Sequence, residues 1–191
     1  MYDIFSAAAD SIVFSFFFFS VSGWAGETIM ESIVRGRFVS KGFFRGPWVP
    51  VHGIGAFAVY AVLYPLKKYP VLVFVLGTLI CTLIEYLAAL LLEKVFNKKC
   101  WDYDTYPFTW WCNFQKRVAL TTSLFFGVVT LALVYFYWDF CVMLIRLIGR
   151  RLLVVVDVIL TTVFAVDAFF TIRRYILNRI AGISNKTDGL L

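Results

Sequence analysis

The sequence is poor in the residues that build metal and nucleophile sites. It has one histidine and four cysteines, and the cysteines form neither a CxxC pair nor a cluster with the histidine. Neither an HExxH motif nor a GxxxxGK[ST] phosphate-binding loop occurs. We therefore expect no metal and no other cofactor, and an ATPase of the phosphate-binding-loop type is excluded.

Charged residues are also scarce, at 16% of the chain, whereas 61% of the residues are apolar and 21 are phenylalanine. A soluble domain of this composition would expose large apolar patches. The Lys and Arg residues cluster in short connections between apolar runs, which is typical of membrane topology signals. The formal charge of +6 therefore predicts no nucleic-acid binding, and the composition predicts an all-α polytopic membrane protein with the lipid bilayer as its partner.

Long apolar segments give the expected organisation. A transmembrane helix needs about 20 mostly apolar residues. The first twenty residues lack a basic n-region and belong to the first span rather than to a cleaved signal peptide. We expect one transmembrane domain over 1–180 and a mobile cytoplasmic tail over 181–191. The five predicted apolar segments are 4–34, 49–66, 70–96, 118–148 and 152–172.

The distribution of basic residues predicts the orientation. Thirteen of the 18 Lys and Arg residues follow the first, third and fifth segments. The positive-inside rule then places the N-terminus outside and the C-terminus in the cytoplasm of a cell inner membrane. Cys100 and Cys112 share a loop on the reducing cytoplasmic side, so we expect no disulfide between them.

Ionisable residues inside the apolar segments are the most informative feature. Charge at membrane depth is expensive and indicates a functional site by default. In the predicted topology these residues share the cytoplasmic half of the bilayer. The predicted substrate or ion pathway consists of Glu27, Glu31, Arg45, His52, Glu85 and Arg117.

Structural ion pairs are the alternative for several acidic residues. Glu31 has Arg35 four residues away on the same helix face. Glu85 has Arg45 or Arg117 as candidate partners. Other acidic residues are interpreted as structural in the same way. Asp157 is expected to meet Arg150 or Arg151, and Asp167 to meet Arg173 or Arg174. Asp102 and Asp104 could bind a cation, but pairing with Lys98 and Lys99 is the favoured interpretation.

The stretch from Arg45 to Gly55 interrupts the apolar pattern with proline and glycine. Pro47 and Pro50 fix φ and remove backbone donors, so a regular helix cannot continue through them. Irregular backbone at membrane depth is tolerated only where protein or a water-filled cavity covers it. We therefore expect a Gly/Pro-rich loop that enters the cytoplasmic side of a bundle of about five transmembrane helices.

Four motifs occur in order along the chain: FSxxGWxxE from Phe19, GRFVxKGFxxGPWxPVxG from Gly36, IEY followed by LEKxF, and WDY from Trp101. Together they resemble the putative ABC-transporter type IV family of small permease-like bacterial membrane proteins, over about 16–131. In this chain His52 stands where a tyrosine is usual, Cys100 where a tryptophan is usual, and Gln115-Lys116 where Asn-Gly is usual. The resemblance implies functional or structural roles for Glu27, Gly46, Pro47, Pro50, Gly53, Glu85, Tyr86, Glu93, Trp101, Asp102, Tyr103 and Arg117.

The sequence leaves three functions open. The first is a permease that moves a small solute through a polar intramembrane site built on Glu27, His52, Glu85 and Arg117. Its ATP-driven version needs a separate ATPase subunit, its proton-coupled version would use Glu85 as the carrier, and five spans favour a homodimer. The second is a membrane-embedded enzyme that acts on a lipid or isoprenoid. The third is a non-transporting membrane subunit whose polar groups stabilise the fold.

Overall fold

The structure is a computed structural model, and it describes residues 12–104, 109 and 111–183. The first eight residues of the predicted first segment and most of the predicted tail lie outside this range. Within it, all five predicted apolar segments form helices. They are α1 (Ile12–Arg35), α2 (Pro50–Leu63), α3 (Pro70–Phe96), α4 (Leu120–Ile148) and α5 (Arg150–Ile180).

Two of these helices have irregular parts. A 3₁₀ turn, Tyr64–Leu66, extends α2. In α4, a π-helical stretch, Leu133–Tyr137, separates Leu120–Ala132 from Trp138–Ile148.

Glycine, proline and asparagine set several of the helix ends. Pro70 begins α3, where its missing N–H has no helical partner to lose. Asn97 ends α3 in the left-handed region with a φ of 50°. Gly149, with a φ of 75°, separates α4 from α5. Helix α5 continues to Ile180, so the predicted end at 172 was wrong, because arginine continues a helix after the apolar run stops.

A small antiparallel hairpin precedes α4 and was absent from the all-helical expectation. Strand β1 is Asn113–Phe114 and strand β2 is Val118–Ala119, with Asn113 opposite Ala119. The turn between them places Gln115 and Lys116 at φ values of 52° and 63°. Two successive residues in the left-handed region reverse the chain direction immediately before α4.

Within the part of the chain that the structure describes, four helices are long and apolar enough to cross a membrane, namely α1, α3, α4 and α5. The chain is thus a multi-pass membrane protein. Large apolar side chains are exposed along these helices, for example Val71, Leu147 and Val158. Such exposure suits contact with lipid tails. Helix α2 is shorter, with 14 residues, or about 21 Å at the usual helical rise.

The described residues divide into two compact units. The first contains 12–57 and 135–171, and the second contains 58–134 and 172–183. The boundary falls within α2, α4 and α5, so each of these helices contributes to both units.

The core of the first unit is aromatic. Phe19 stacks on Trp138 with ring centroids 5.3 Å apart, and Trp138 is almost fully buried. The Phe164 ring makes edge contacts with Phe17 at 5.5 Å and with Trp48 at 5.8 Å. These rings connect α1, α5 and the loop that precedes α2.

The second unit depends on close packing of α3 against α4. A Cβ placed on Gly77 would lie 2.3 Å from the Thr130 side chain, and one placed on Gly127 would lie 2.3 Å from Thr78 Oγ1. Only glycine permits this approach at the two positions. Small residues at such contacts are characteristic of helix pairs in membranes.

Candidate functional site

A polar stripe on α1 holds the segment that follows this helix, which we call the return loop (residues 36–49). The stripe residues are one turn apart on one helix face, and they are Ser20, Trp24, Thr28 and Ser32. Val39 N donates to Ser32 Oγ at 3.0 Å, and Lys41 N donates to Thr28 Oγ1 at 3.2 Å. The return loop therefore begins by folding back along α1.

The remaining contacts carry the return loop further along the same face. Trp24 Nε1 donates to Ser40 Oγ at 3.2 Å, and Val49 N donates to the Ser20 carbonyl oxygen at 3.1 Å. From Ser32 to Ser20 the helix rises about 18 Å. Helix α2 consequently starts beside the interior of α1 rather than beside its end.

Asp167 of α5 anchors the Gly-Pro-Trp turn of the return loop. Its Oδ2 accepts hydrogen bonds from Gly46 N at 2.8 Å and from Trp48 Nε1 at 2.7 Å, and its Oδ1 accepts one from Arg45 N at 3.2 Å. The Thr171 hydroxyl donates to Oδ1 at 3.0 Å. One carboxylate thereby satisfies three N–H donors of an irregular segment.

Two glycines bring α1 and α2 into close contact. A Cβ on Gly23 would lie 2.1 Å from His52 Cδ2, and a Cβ on Gly53 would lie 2.6 Å from Ser20 Oγ. A side chain at either position would force its neighbours to shift, and at Gly23 these neighbours include Cβ of His52, only 2.6 Å from the added atom. The imidazole of His52 thus lies directly against the backbone of α1.

This packing places His52 beside Glu27. The two side chains meet with Nε2 of His52 2.7 Å from Oε1 of Glu27, which is a hydrogen-bond distance. The His52 side chain is 30% exposed and that of Glu27 is 41% exposed. The pair is therefore accessible from one side while its geometry is fixed from the other.

Glu31, one turn further along α1, has a different environment. Its Oε1 lies 2.5 Å from Arg35 Nε and its Oε2 lies 3.3 Å from Lys41 Nζ. Its side chain is only 3% exposed. The ion-pair alternative is confirmed for Glu31, and Lys41 attaches the return loop to the same carboxylate.

In the second unit, Glu85 of α3 accepts a hydrogen bond from Tyr103. The phenolic oxygen lies 2.6 Å from Glu85 Oε1. Tyr103 is held by its own backbone, because its N–H donates to Lys116 O at 3.1 Å and its carbonyl accepts from Thr109 Oγ1 at 2.6 Å. The loop after α3 thus presents a hydroxyl group to the carboxylate of this helix.

Arg117 binds a second carboxylate of α3. Its Nε and Nη2 atoms donate to Glu93 Oε2 at 3.0 Å and 2.5 Å. These bonds raise the pKa of Arg117 above its ordinary value. The Arg117 carbonyl accepts from Trp101 Nε1 at 2.8 Å, so this arginine joins the loop, the hairpin and α3.

The comparison with protein families adds to this geometry. The model of the family described as Putative ABC-transporter type IV matches residues 14–172 of the 191. The chain belongs to this family. The match reaches through most of α5, so the resemblance extends beyond its predicted end near residue 131. No curated protein and no solved structure matches the chain.

The hairpin turn contains Gln115-Lys116, where the motif resemblance implies Asn-Gly. Asn-Gly would suit the positive φ values observed there. The chain keeps this backbone shape with two less suitable residues.

Outside the membrane spans, hydrogen bonds from Lys116 and then from Asn113 hold the pKa of Asp104 below its ordinary value of 3.8.

The predicted pathway residues of this family member fall into separate contacts. Within the first unit, Glu27 meets His52, whereas Glu31 meets two cations; Arg45 contributes a backbone N–H to the Asp167 carboxylate. Within the second unit, Glu85 and Arg117 contact Tyr103 and Glu93 respectively. In the described residues, no group of three His, Cys, Asp or Glu side chains is arranged to hold a metal.

Some acidic residues differ from expectation. Asp102 pairs with Lys99 at 2.5 Å, as predicted, but Asp104 pairs with Lys116. Among the described residues, Asp167 contacts the return loop and Thr171 instead of Arg173 or Arg174, so that prediction was wrong. Its loop partners are about 120 positions away in the chain, and no local spacing indicates them. The four-residue polar stripe on α1, by contrast, could have been read from the sequence.

Proposed function

We propose that this protein is the membrane permease component of a transporter for a small polar solute, with the Glu27–His52 pair as its central polar group. The observation that carries the proposal is the 2.7 Å contact between these side chains, formed between two apolar helices and still accessible. Ionisable groups held inside membrane helices mark substrate or ion pathways.

The return loop supports this proposal. It runs along about 18 Å of α1, a large part of the roughly 30 Å hydrocarbon thickness of a bilayer. Its backbone donors are covered by side chains of α1 and α5. Transporter sites are commonly built where such broken segments meet at membrane depth. Here the loop enters from the cytoplasmic side of the inner membrane, and the C-terminus lies in the cytoplasm.

The energy for transport comes from outside this chain, since its sequence has no phosphate-binding loop. Membership of the family favours a separate ATPase subunit on the cytoplasmic face, and the small number of spans favours a homodimer. In the second unit, Glu85 with Tyr103 is a further polar group for the solute or for a proton. Arg117 with Glu93 holds the loop that carries Tyr103.

A thermal-shift screen of small polar solutes tests the binding part of the proposal. A bound solute raises the Tm of the folded protein in proportion to the logarithm of its concentration. We expect at least one solute to stabilise the wild type but neither Glu27→Gln nor His52→Phe. His52→Tyr, which restores the hydroxyl donor usual in the family, should regain part of the shift. Solutes that stabilise all four proteins equally would contradict the assigned site.

Native mass spectrometry of the complex extracted from its host tests the partner. We expect this chain together with an ATPase subunit. A homodimer that lacks any ATPase would contradict the ATP-driven version. Chemical conversion of a bound ligand, seen as a new mass, would contradict the permease and support the enzyme alternative.

A further inference from the structure

We infer that Asp167 is a positioning residue for the Glu27–His52 pair and that α5 controls the pair through the return loop. Asp167 touches neither Glu27 nor His52 in the described contacts; it acts through the Gly46–Trp48 turn. The importance of this control for transport rests on the proposed function, but the positioning itself does not.

The first step is the strength of the anchor. Asp167 accepts two backbone N–H bonds and the indole N–H of Trp48, and hydrogen bonds to an ionised acceptor are about twice as strong as neutral ones. Trp48 is also 5% exposed and packs its ring against Phe17 and Phe164. The turn is therefore fixed to α5 by both polar and aromatic contacts.

The second step is the short, stiff connection from the anchor to the histidine. Only Val49, Pro50 and Val51 separate Trp48 from His52. Pro50 fixes its own φ and restricts the residue before it. Val49 N is bound to α1, and His52 N donates to the Val49 carbonyl at 3.0 Å. A displacement of Trp48 is transmitted to His52 because this connection has little freedom to absorb it.

The third step is that the Glu27–His52 contact permits little movement of the histidine ring. The His52 ring occupies the space that a Cβ on Gly23 would need, so it cannot move closer to α1. Its Nε2 is already at hydrogen-bond distance from Glu27. Protein hydrogen bonds of this type span about 2.7–3.2 Å between donor and acceptor, so a shift of roughly 1 Å away from α1 would break the contact.

The single histidine makes the inference directly measurable. Protein labelled with ¹⁵N-histidine and placed in lipid bilayers gives the ring signals of His52 alone in solid-state NMR. Glu27→Gln defines the signals of an imidazole that has lost its carboxylate. We expect Asp167→Asn, which keeps the size of the side chain but removes its charge, to move the signals most of the way to those of Glu27→Gln.

Two further variants separate positioning from general loss of structure. Thr171→Val removes a donor to Asp167 without touching the return loop, and its His52 signals should match the wild type. Trp48→Phe removes one loop bond and keeps an aromatic ring; it should shift the signals part of the way even if Asp167→Asn fails to fold. Wild-type signals in folded Asp167→Asn or in Trp48→Phe would overturn the inference. The readout needs no solute, so a failed solute screen and a failed positioning test are distinguishable.

Discussion

Helices α1 and α3 each carry two carboxylates, and in both helices the two have different partners. Glu31 and Glu93 contact arginines, which stay charged at any physiological pH. Glu27 contacts a histidine and Glu85 contacts a tyrosine, groups that can be neutral. In each unit, a helix is followed by a basic loop that folds back on it. Each of these helices thus has one carboxylate that contacts an arginine and one that contacts a histidine or a tyrosine.

The burial of these residues sharpens the difference. The Glu31 side chain is 3% exposed, whereas that of Glu27 is 41% exposed. Loss of a buried carboxylate that is enclosed by cations leaves those cations unpaired, so such a carboxylate stabilises the fold. A partly open carboxylate beside a neutral or titratable group can bind a solute or a proton. We therefore propose that Glu31 supports the fold and Glu27 the function. From their partners alone, we propose the same division for Glu93 and Glu85.

The largest expected effect separates the two carboxylates of α1. Glu31→Gln leaves Arg35 and Lys41 without their anion and should lower the free energy of unfolding by roughly 3 kcal/mol. Glu27→Gln removes a partly exposed pair and should lower it by less than about 1 kcal/mol. Unfolding in mixed detergent micelles measures both values. Equal losses of unfolding free energy in the two variants would contradict the different roles of Glu27 and Glu31.

Glycine substitutions on α1 test the close approach behind the pair. Gly23→Ala places a methyl group inside the His52 ring and should lower the free energy of unfolding by about 2 kcal/mol. Gly26→Ala is the matched control, because nothing lies within 4 Å of its Cβ position. It should be neutral or stabilising by less than about 1 kcal/mol. The same unfolding assay applies, and a harmless Gly23→Ala would contradict the packing of α1 against α2.

The hairpin of the second unit should respond in the opposite direction. The double substitution Gln115→Asn with Lys116→Gly places suitable residues at φ values of 52° and 63°. Relief of left-handed strain should raise the free energy of unfolding by about 1 kcal/mol. Gln115→Ala with Lys116→Ala removes the same side chains without relieving the backbone and should give no gain. A gain from the alanine pair would show that the side chains, rather than the backbone, carry the strain.

The smallest effect concerns the ion pair of α3. Arg117 and Glu93 side chains are 21% and 24% exposed, so their coupling should be only about 0.5–1 kcal/mol. A double-mutant cycle with Arg117→Gln and Glu93→Gln measures this coupling. Coupling of Arg117 to Glu85 that exceeds its coupling to Glu93 would reverse the assignment of the two carboxylates.

Local patterns in the sequence predicted much of this structure. The apolar runs gave all five helices, and the four-residue spacing gave the Glu31–Arg35 pair. The proline and glycine content predicted an irregular segment over 45–55. Only the part before Pro50 is irregular, so the prediction was wrong for Pro50 and Gly53, which lie in α2 because proline is well suited to the first position of a helix. These features depend on residues close together in the chain, so spacing and composition suffice to predict them.

The features that the sequence did not predict depend mainly on contacts between residues far apart in the chain. Asp167 receives donors about 120 residues away, and its nearby arginines suggested a different partner. The pairing of Glu27 with His52 depends on Gly23 and Gly53, whose role appears only when the two helices are packed. The hairpin was missed because Gln115 and Lys116 are not residues that signal positive φ.

Solute uptake into proteoliposomes, normalised to folded protein, tests the central claim most directly. The solute is the one that stabilises the wild type, and any ATPase partner found with the protein is included. We predict that Glu27→Gln loses at least tenfold in uptake rate, while Glu31→Gln retains the wild-type rate per folded molecule. Full uptake by Glu27→Gln together with loss in folded Glu31→Gln would contradict the account.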